Sequence, residues 1–180
     1  MGAVCLFATL NSIGCASSSR SSKPPETTAS SPGTTSTRHD SPAPGTVAYD
    51  KSVFSSLFDN HGTITRSVRE IDGGIEATTE SGDPAVAALL QDHINAMKDR
   101  LETGRRIRQW DPIYVAMFDE GKLIKLDIER TPTGIRVRET STDPKVVDLI
   151  RAHGVVVSSF VREGPEEAGK EHAVPDSAKR

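Results

Sequence analysis

Displaced by 60 residues, the chain aligns with itself without a gap, residues 53–104 on 113–164, and 12 of the 52 paired positions are identical. Unrelated segments of that length would share about three, so the match marks an internal repeat, and a repeat of this size restricts the fold to two copies of one small unit closing a common core. The identities are Phe58/Phe118, Asp59/Asp119, Ile64/Ile124, Gly74/Gly134, Ile75/Ile135, Ser81/Ser141, Asp83/Asp143, Pro84/Pro144, Val86/Val146, Leu89/Leu149, His93/His153 and Gly104/Gly164. Most fall where backbone geometry demands a particular residue type.

Each copy opens with a turn or two of amphipathic helix, Phe54, Leu57 and Phe58 in the first, Tyr114, Met117 and Phe118 in the second, the latter led in by Asp111-Pro112 as N-cap and first helical residue. Strand alternation follows. Ile124, Leu126 and Ile128 alternate with Lys125, Asp127 and Glu129, matched more weakly by Ile64 and Val68. Asp72-Gly73-Gly74 and Pro132-Thr133-Gly134 reverse the chain into second strands through Ile75 and Ala77, or Ile135 and Val137. Asp83-Pro84 and Asp143-Pro144 then start long helices that glycine stops at Gly104 and Gly164. The unit is short helix, β, β, long helix. Two of them predict an α+β domain with a four-stranded antiparallel sheet and both long helices on one face.

The remainder of the chain is of a different kind. Residues 3–10 form an apolar run of signal-peptide length leading through Asn11, Ser12, Ile13 and Gly14 to Cys15, and small residues before a cysteine resemble a lipobox. Residues 1–15 are therefore expected to be a lipoprotein-type signal segment with Cys15 as the acylated residue, although no Lys or Arg precedes the apolar run and Ser12 stands where leucine is usual. Residues 16–47, rich in Ser, Thr and Pro, read as a disordered tether, with His39 inside it, residues 48–175 as one duplicated domain and residues 176–180 as a disordered tail. The chain is expected to be exported and held at a membrane by lipid, facing the periplasm or the cell exterior.

Chemistry is constrained mostly by exclusion. The two cysteines are Cys5 and Cys15, so no Cys-ligated metal, disulfide or covalent c-type haem can form beyond position 15. A formal net charge of −3 and the lack of a recognition motif set nucleic acid aside. No nucleophile elbow, phosphate loop or dinucleotide fingerprint occurs, which leaves enzymatic activity without support. An aromatic content of 4% argues against a large aromatic ligand pocket.

What remains is histidine. Val86, Leu90, His93, Met97 and Leu101 lie on one helical stripe, and Val146, Ile150, His153, Val157 and Val161 repeat it, so both histidines are expected to face inward. Packed about a pseudo-twofold axis, His93 and His153 could form a two-histidine site for copper, another transition metal or haem, with the Met97 thioether one turn away and His61 and His172 as additions. The alternative is structural: each ring bonded within the core, and the domain an adaptor for another envelope protein, through its sheet face or the segment Arg105-Arg106-Ile107-Arg108 with Trp110, which could also meet an anionic headgroup. A dimeric or intertwined arrangement is compatible with either.

His61 before Ile64 and Arg66, Thr79-Glu80-Ser81 with Asp83-Pro84, the His93 to Met97 helix, Ile107-Arg108 with Asp111-Pro112, Glu139-Thr140-Ser141 with Asp143-Pro144, His153, and His172 with Val174-Pro175 form a further pattern. It resembles a family of uncharacterised exported bacterial proteins, lipoproteins among them. The resemblance implies no particular activity; it places His61, His93, His153 and His172 among the shared residues.

Overall fold

The computed structural model describes residues 42–179. Cys15, the apolar run before it, most of the tether and His39 lie outside the described residues. The elements run α1 (Val47–Asp59), a 3-10 turn (His61–Thr63), β1 (Ile64–Ile71), β2 (Gly74–Ser81), α2 (Pro84–Thr103), α3 (Pro112–Asp119), a second 3-10 turn (Gly121–Leu123), β3 (Lys125–Thr131), β4 (Gly134–Thr140), α4 (Pro144–Glu163), a short α5 (Pro165–Ala168) and a last 3-10 turn (Asp176–Ala178). The fold is mixed α+β, with one four-stranded antiparallel sheet in the order β1-β2-β4-β3.

The two hairpins meet through their second strands. β2 and β4 pair with Ala77 opposite Val137, Ile75 opposite Glu139 and Thr79 opposite Ile135. That pairing is close. A Cβ on Gly74 would lie 1.9 Å from the Glu139 carbonyl oxygen, and one on Gly134 would lie 2.2 Å from the Thr79 carbonyl oxygen. Two further bonds lock the ends of the pair, Ser81 N–H to Thr133 C=O and Ser141 N–H to Gly73 C=O, each 2.8 Å.

Both long helices start as their sequence directs. Asp83 Oδ1 accepts from Ala85 N–H at 2.8 Å and Asp143 Oδ1 from Lys145 N–H at 2.9 Å, with proline at the first helical position of each. α2 packs on β2 and β4, α4 on β1, β2 and β4. The buried side chains gather in two clusters, one of Ile75 and Ile124 with Ile113 and Met117 of α3 and Val146, Leu149 and Ile150 of α4, the other of Val53 and Leu57 of α1 with Val86 and Leu90 of α2; Ala77, Ile135 and Val137 of the sheet are buried as well. Each of the larger buried side chains contributes about 1.5–3 kcal/mol by leaving water. The alternate strand positions carry ion pairs, Arg69–Glu76 at 2.7 Å and Arg136–Glu129 at 2.9 Å.

Three features differ from expectation. α1 is a full 13 residues, because Thr46 Oγ1 caps it by accepting from Tyr49 N–H and because Asp50, which is 3% exposed, meets the equally buried Arg100 of α2 at 2.5 Å. Asp111 stands at the N-cap of α3 but makes no capping bond with its side chain; its carboxylate is fully buried and taken up by other partners described below. The closing residues, expected to be a disordered tail, form the last 3-10 turn and bury Ala178 against α4.

The close approach of β2 and β4 yields a direct test. Gly74→Ala forces a side chain into a partner backbone oxygen and is expected to cost more than about 3 kcal/mol or to prevent folding. Gly82→Ala, where nothing lies within 4 Å, is expected to fall within about 0.5 kcal/mol of wild type in urea unfolding.

Candidate functional site

Strand parity decides which side chains turn toward the core. Ile135, Val137 and Glu139 share one side of β4, so the apolar row ends in a carboxylate, and Glu139 is only 7% exposed. His153, midway along α4, places Nδ1 3.4 Å from Glu139 Oε2. On β1, Arg66 occupies the same inward parity as Ile64 and donates from Nη1 to Thr79 Oγ1 at 2.7 Å. Desolvation pushes the Glu139 carboxyl upward, but His153 and Arg66 outweigh it and hold it below the usual carboxylate range. Burial in turn lowers Arg66, opposed by Glu139 and Tyr114.

This polar group is incompletely satisfied. Arg66 Nε is buried without a hydrogen-bond partner among the described residues, and Glu139 Oε2 and His153 Nδ1, also buried, face each other at 3.4 Å outside hydrogen-bond geometry. Native proteins leave few such atoms, and each calls for a bound water, an ion or a functional reason.

His93, on α2, lies in the same region. Phe54 of α1 meets it edge-on at 4.7 Å between ring centroids, as Tyr114 of α3 meets His153 at 5.4 Å. Burial lowers the His93 pKa from 6.5 to about 4; Asp50 opposes the shift and the nearby His153 adds to it. The ring is therefore neutral at pH 7, the form that binds metal. Further rings continue the network, Phe54 to Phe58, Phe58 to Phe160 and Phe160 to Tyr114. The scarce aromatics are thus concentrated around the two histidines, which overall composition does not register.

The other residues expected as metal ligands are placed elsewhere. His61 Nδ1 lies 3.1 Å from the Val161 carbonyl oxygen, and its ring packs on Gly164. His172 lies between two carboxylates, Nδ1 2.7 Å from Asp111 Oδ2 and Nε2 3.2 Å from Glu167 Oε1. Its backbone N–H also donates to Asp111 Oδ1, and Arg108 Nε donates to Asp111 Oδ2, each at 2.9 Å. Desolvation raises the Asp111 carboxyl, but these bonds more than compensate and hold it low. Both histidines fasten chain segments. Met97 is half-buried on α2. Among the described residues no group of three or more His, Cys, Asp or Glu could hold a metal ion, so the five-residue set is not assembled.

The basic run is also committed internally. Arg105 pairs with Asp99, Arg106 with Asp119 and Arg108 with Asp111. Arg108 stacks over Trp110 at 4.2 Å from the ring centroid. An open, mainly apolar hollow of about 520 Å³ is lined by Pro112, Ala116, Leu149, Val174 and Ala178, together with Asp119, Glu120 and Lys179.

Glu139 and Arg66 were missed as site residues, yet each carries a signal. Both are charged side chains on the inward parity of an amphipathic strand.

The neutral His93 ring implies a pH dependence of fixed sign. As pH falls, the unfolded chain takes up a proton at His93 near 6.5, the folded chain only near 4. The stability linked to it is complete above pH 6.5, declines between 6.5 and 4 and is lost below 4, a total of up to about 3 kcal/mol. His93→Phe is expected to flatten the unfolding free energy over that window; a slope equal to wild type would show that the ring is not desolvated. No family model, curated protein or solved structure matches the chain.

Proposed function

We propose that this chain is a lipid-tethered protein of the bacterial cell envelope, a member of the family it resembles, whose folded part is a duplicated unit that binds a late first-row transition-metal ion between its halves. Copper fits best. Support for the duplication comes from regularity at the 60-residue offset: α2 and α4 each have 20 residues, and the Asp-Pro caps, the Ser81 and Ser141 bonds and the two glycine contacts all recur in pairs. Ala77 and Val137, equivalent in the repeat, are also register partners, as a twofold axis between β2 and β4 requires. In this reading α2 and α4 lie on one face of the sheet and bring His93 and His153 to either side of that axis.

The observation that carries the metal reading is Glu139 beside His153 Nδ1. A carboxylate beside Nδ1 favours the tautomer that leaves Nε2 free as the ligand, and a shortening of the 3.4 Å contact would give the usual outer-shell arrangement of metal-binding histidines. His93 supplies a second imidazole, itself neutral at pH 7. Met97, one turn along α2, would add the soft thioether that favours copper. His61 and His172, bonded elsewhere, are not ligands in this reading.

Titration of the purified full chain with Cu(I) and Zn(II), under competition with a chelator and with bound metal quantified, tests the assignment. One Cu(I) per chain is expected, weakened at least about 100-fold in His93→Ala/His153→Ala and about 10- to 100-fold in Glu139→Gln. His61→Ala is expected to leave it unchanged. Equal affinity in the double variant would reject the site, and a visible spectrum on adding haem instead would reassign the ligand. If the double variant loses only melting temperature, the histidines are core residues and the adaptor alternative stands.

The tether has its own test. Labelled palmitate is expected in the wild-type chain and absent from Cys15→Ser; label that persists in the variant would rule out acylation at Cys15.

A further inference from the structure

Residues 170–179 run back over the domain with a small apolar grip. Val174 and Ala178 pack on the core, and polar bonds hold the stretch on either side of them. At its far end Lys145 Nζ donates to the Lys179 carbonyl at 2.8 Å. At its near end the bonds converge on His172. The His172 N–H donates to Asp111 Oδ1 at 2.9 Å, the His172 carbonyl accepts from Ile113 N–H at 3.1 Å, and Arg108 Nη2 donates to the Lys170 carbonyl at 3.1 Å.

The ring of His172 completes this fastening in an unusual way, because both of its nitrogens face carboxylate oxygens. Nδ1 lies 2.7 Å from Asp111 Oδ2 and Nε2 lies 3.2 Å from Glu167 Oε1. An ionised carboxylate only accepts, and only the imidazolium carries an N–H on each nitrogen. A neutral ring that keeps its bond to the fully buried Asp111 turns the Nε2 lone pair on Glu167. The other charges around the ring are fixed. Arg108 is bonded to Asp111 and Lys170 to Glu167, while Phe160 of α4 meets the ring edge-on at 5.6 Å and Glu171 is exposed. Lys170 first, and His172 after it, hold the Glu167 carboxyl below the usual carboxylate range, and Asp111 is held low as described above, so both are anions above about pH 5. Histidine is the residue type that changes charge between about pH 5 and 8.

We propose that His172 is a pH-sensitive latch, whose imidazolium bridges Asp111 and Glu167 and fastens residues 170–179 against α3 and α4, and whose loss of a proton frees the Glu167 side and loosens the segment. Closing the latch takes up a proton, so it is favoured as pH falls and weakened as pH rises. Ala173, Val174 and Ala178 line the apolar hollow together with Pro112 and Ala116 of α3 and Leu149 of α4. Loosening the segment removes its share of that lining, so the apolar surface of α3 and α4 is covered at low pH and accessible at high pH. The latch shares no bond with His93 or His153 and does not rest on the metal reading.

Hydrogen exchange of the full chain, read at the Ile113 and His172 amides that bond across the latch, tests it. Corrected for the intrinsic pH dependence of exchange, their protection is expected to fall at least about tenfold from about pH 5.5 to about pH 8.5, the loss of one charge-assisted bond, while amides in β2 and β4 lose none. In Glu167→Gln the side-chain amide can accept from an N–H or donate to a bare ring nitrogen, so both ring forms are satisfied and the fall is expected to vanish. Equal protection at the two pH values in the wild-type chain would overturn the proposal. So would a fall shared by β2 and β4, which would be unfolding of the whole domain, or one as large in Glu167→Gln as in wild type.

Discussion

At Gly74 and Gly134 the central strands approach until the space for a side chain is gone, and the register this permits positions everything above the sheet. Because Ala77 faces Val137, the small and β-branched residues fall at the centre of the pair, while Thr79 and Glu139 lie two residues beyond it on opposite strands. The same register sets where each strand ends, and with it where Asp83 and Asp143 cap α2 and α4. A slip of one residue would turn Ile75, Ala77, Ile135 and Val137 toward solvent and replace them with Glu76, Thr78, Arg136 and Arg138. The close glycine contacts therefore define the core as well as the floor of the candidate site.

The polar groups set into that core are not equivalent. Asp50–Arg100 ties α1 to α2, and Asp111 with Arg108 and His172 ties the C-terminal segment to the start of α3. Both clusters have carboxylate and cation in contact, as a buried pair must if its mutual attraction is to offset desolvation. The group under α4 is arranged differently: Arg66 Nε has no acceptor, and Glu139 Oε2 and His153 Nδ1 face each other at 3.4 Å without the geometry of a hydrogen bond. Where the fold needs a polar fastening it completes one. The incomplete cluster is the part of the molecule on which the proposed metal site rests.

Local chemistry explains which of these features the sequence discloses. Asp-Pro pairs, turn glycines and the alternation of Ile124, Leu126 and Ile128 act through neighbours a few residues away, so the elements and their order are readable from spacing alone. Asp50, Asp111 and His172 act over separations of 50 and 61 residues, and nothing periodic marks such a bond. Asp111 illustrates the point: it has the residue type and position of an N-cap, yet its carboxylate is drawn to His172 and Arg108, which no local rule anticipates. His61 and His172 carry the ligand residue type, and only their long-range partners show that they are engaged. Glu139 was accessible to a stricter reading, because strand parity alone puts its charge on the inward side.

The contrast between the halves bears on what the site is for. In the duplication we propose, the histidine is retained in both copies while its surroundings diverge: Phe54 against Tyr114, Thr79 against Glu139, Arg66 against Leu126, Met97 against Val157. Pure packing would not require these differences to be polar. Arg66 and Met97 come from one copy, Glu139 and Tyr114 from the other. In the proposed site a ligand would therefore meet different side chains from each half and bind in one orientation only. Two equivalent histidines in an inequivalent setting are suited to holding one asymmetric guest, and less suited to joining two identical partners.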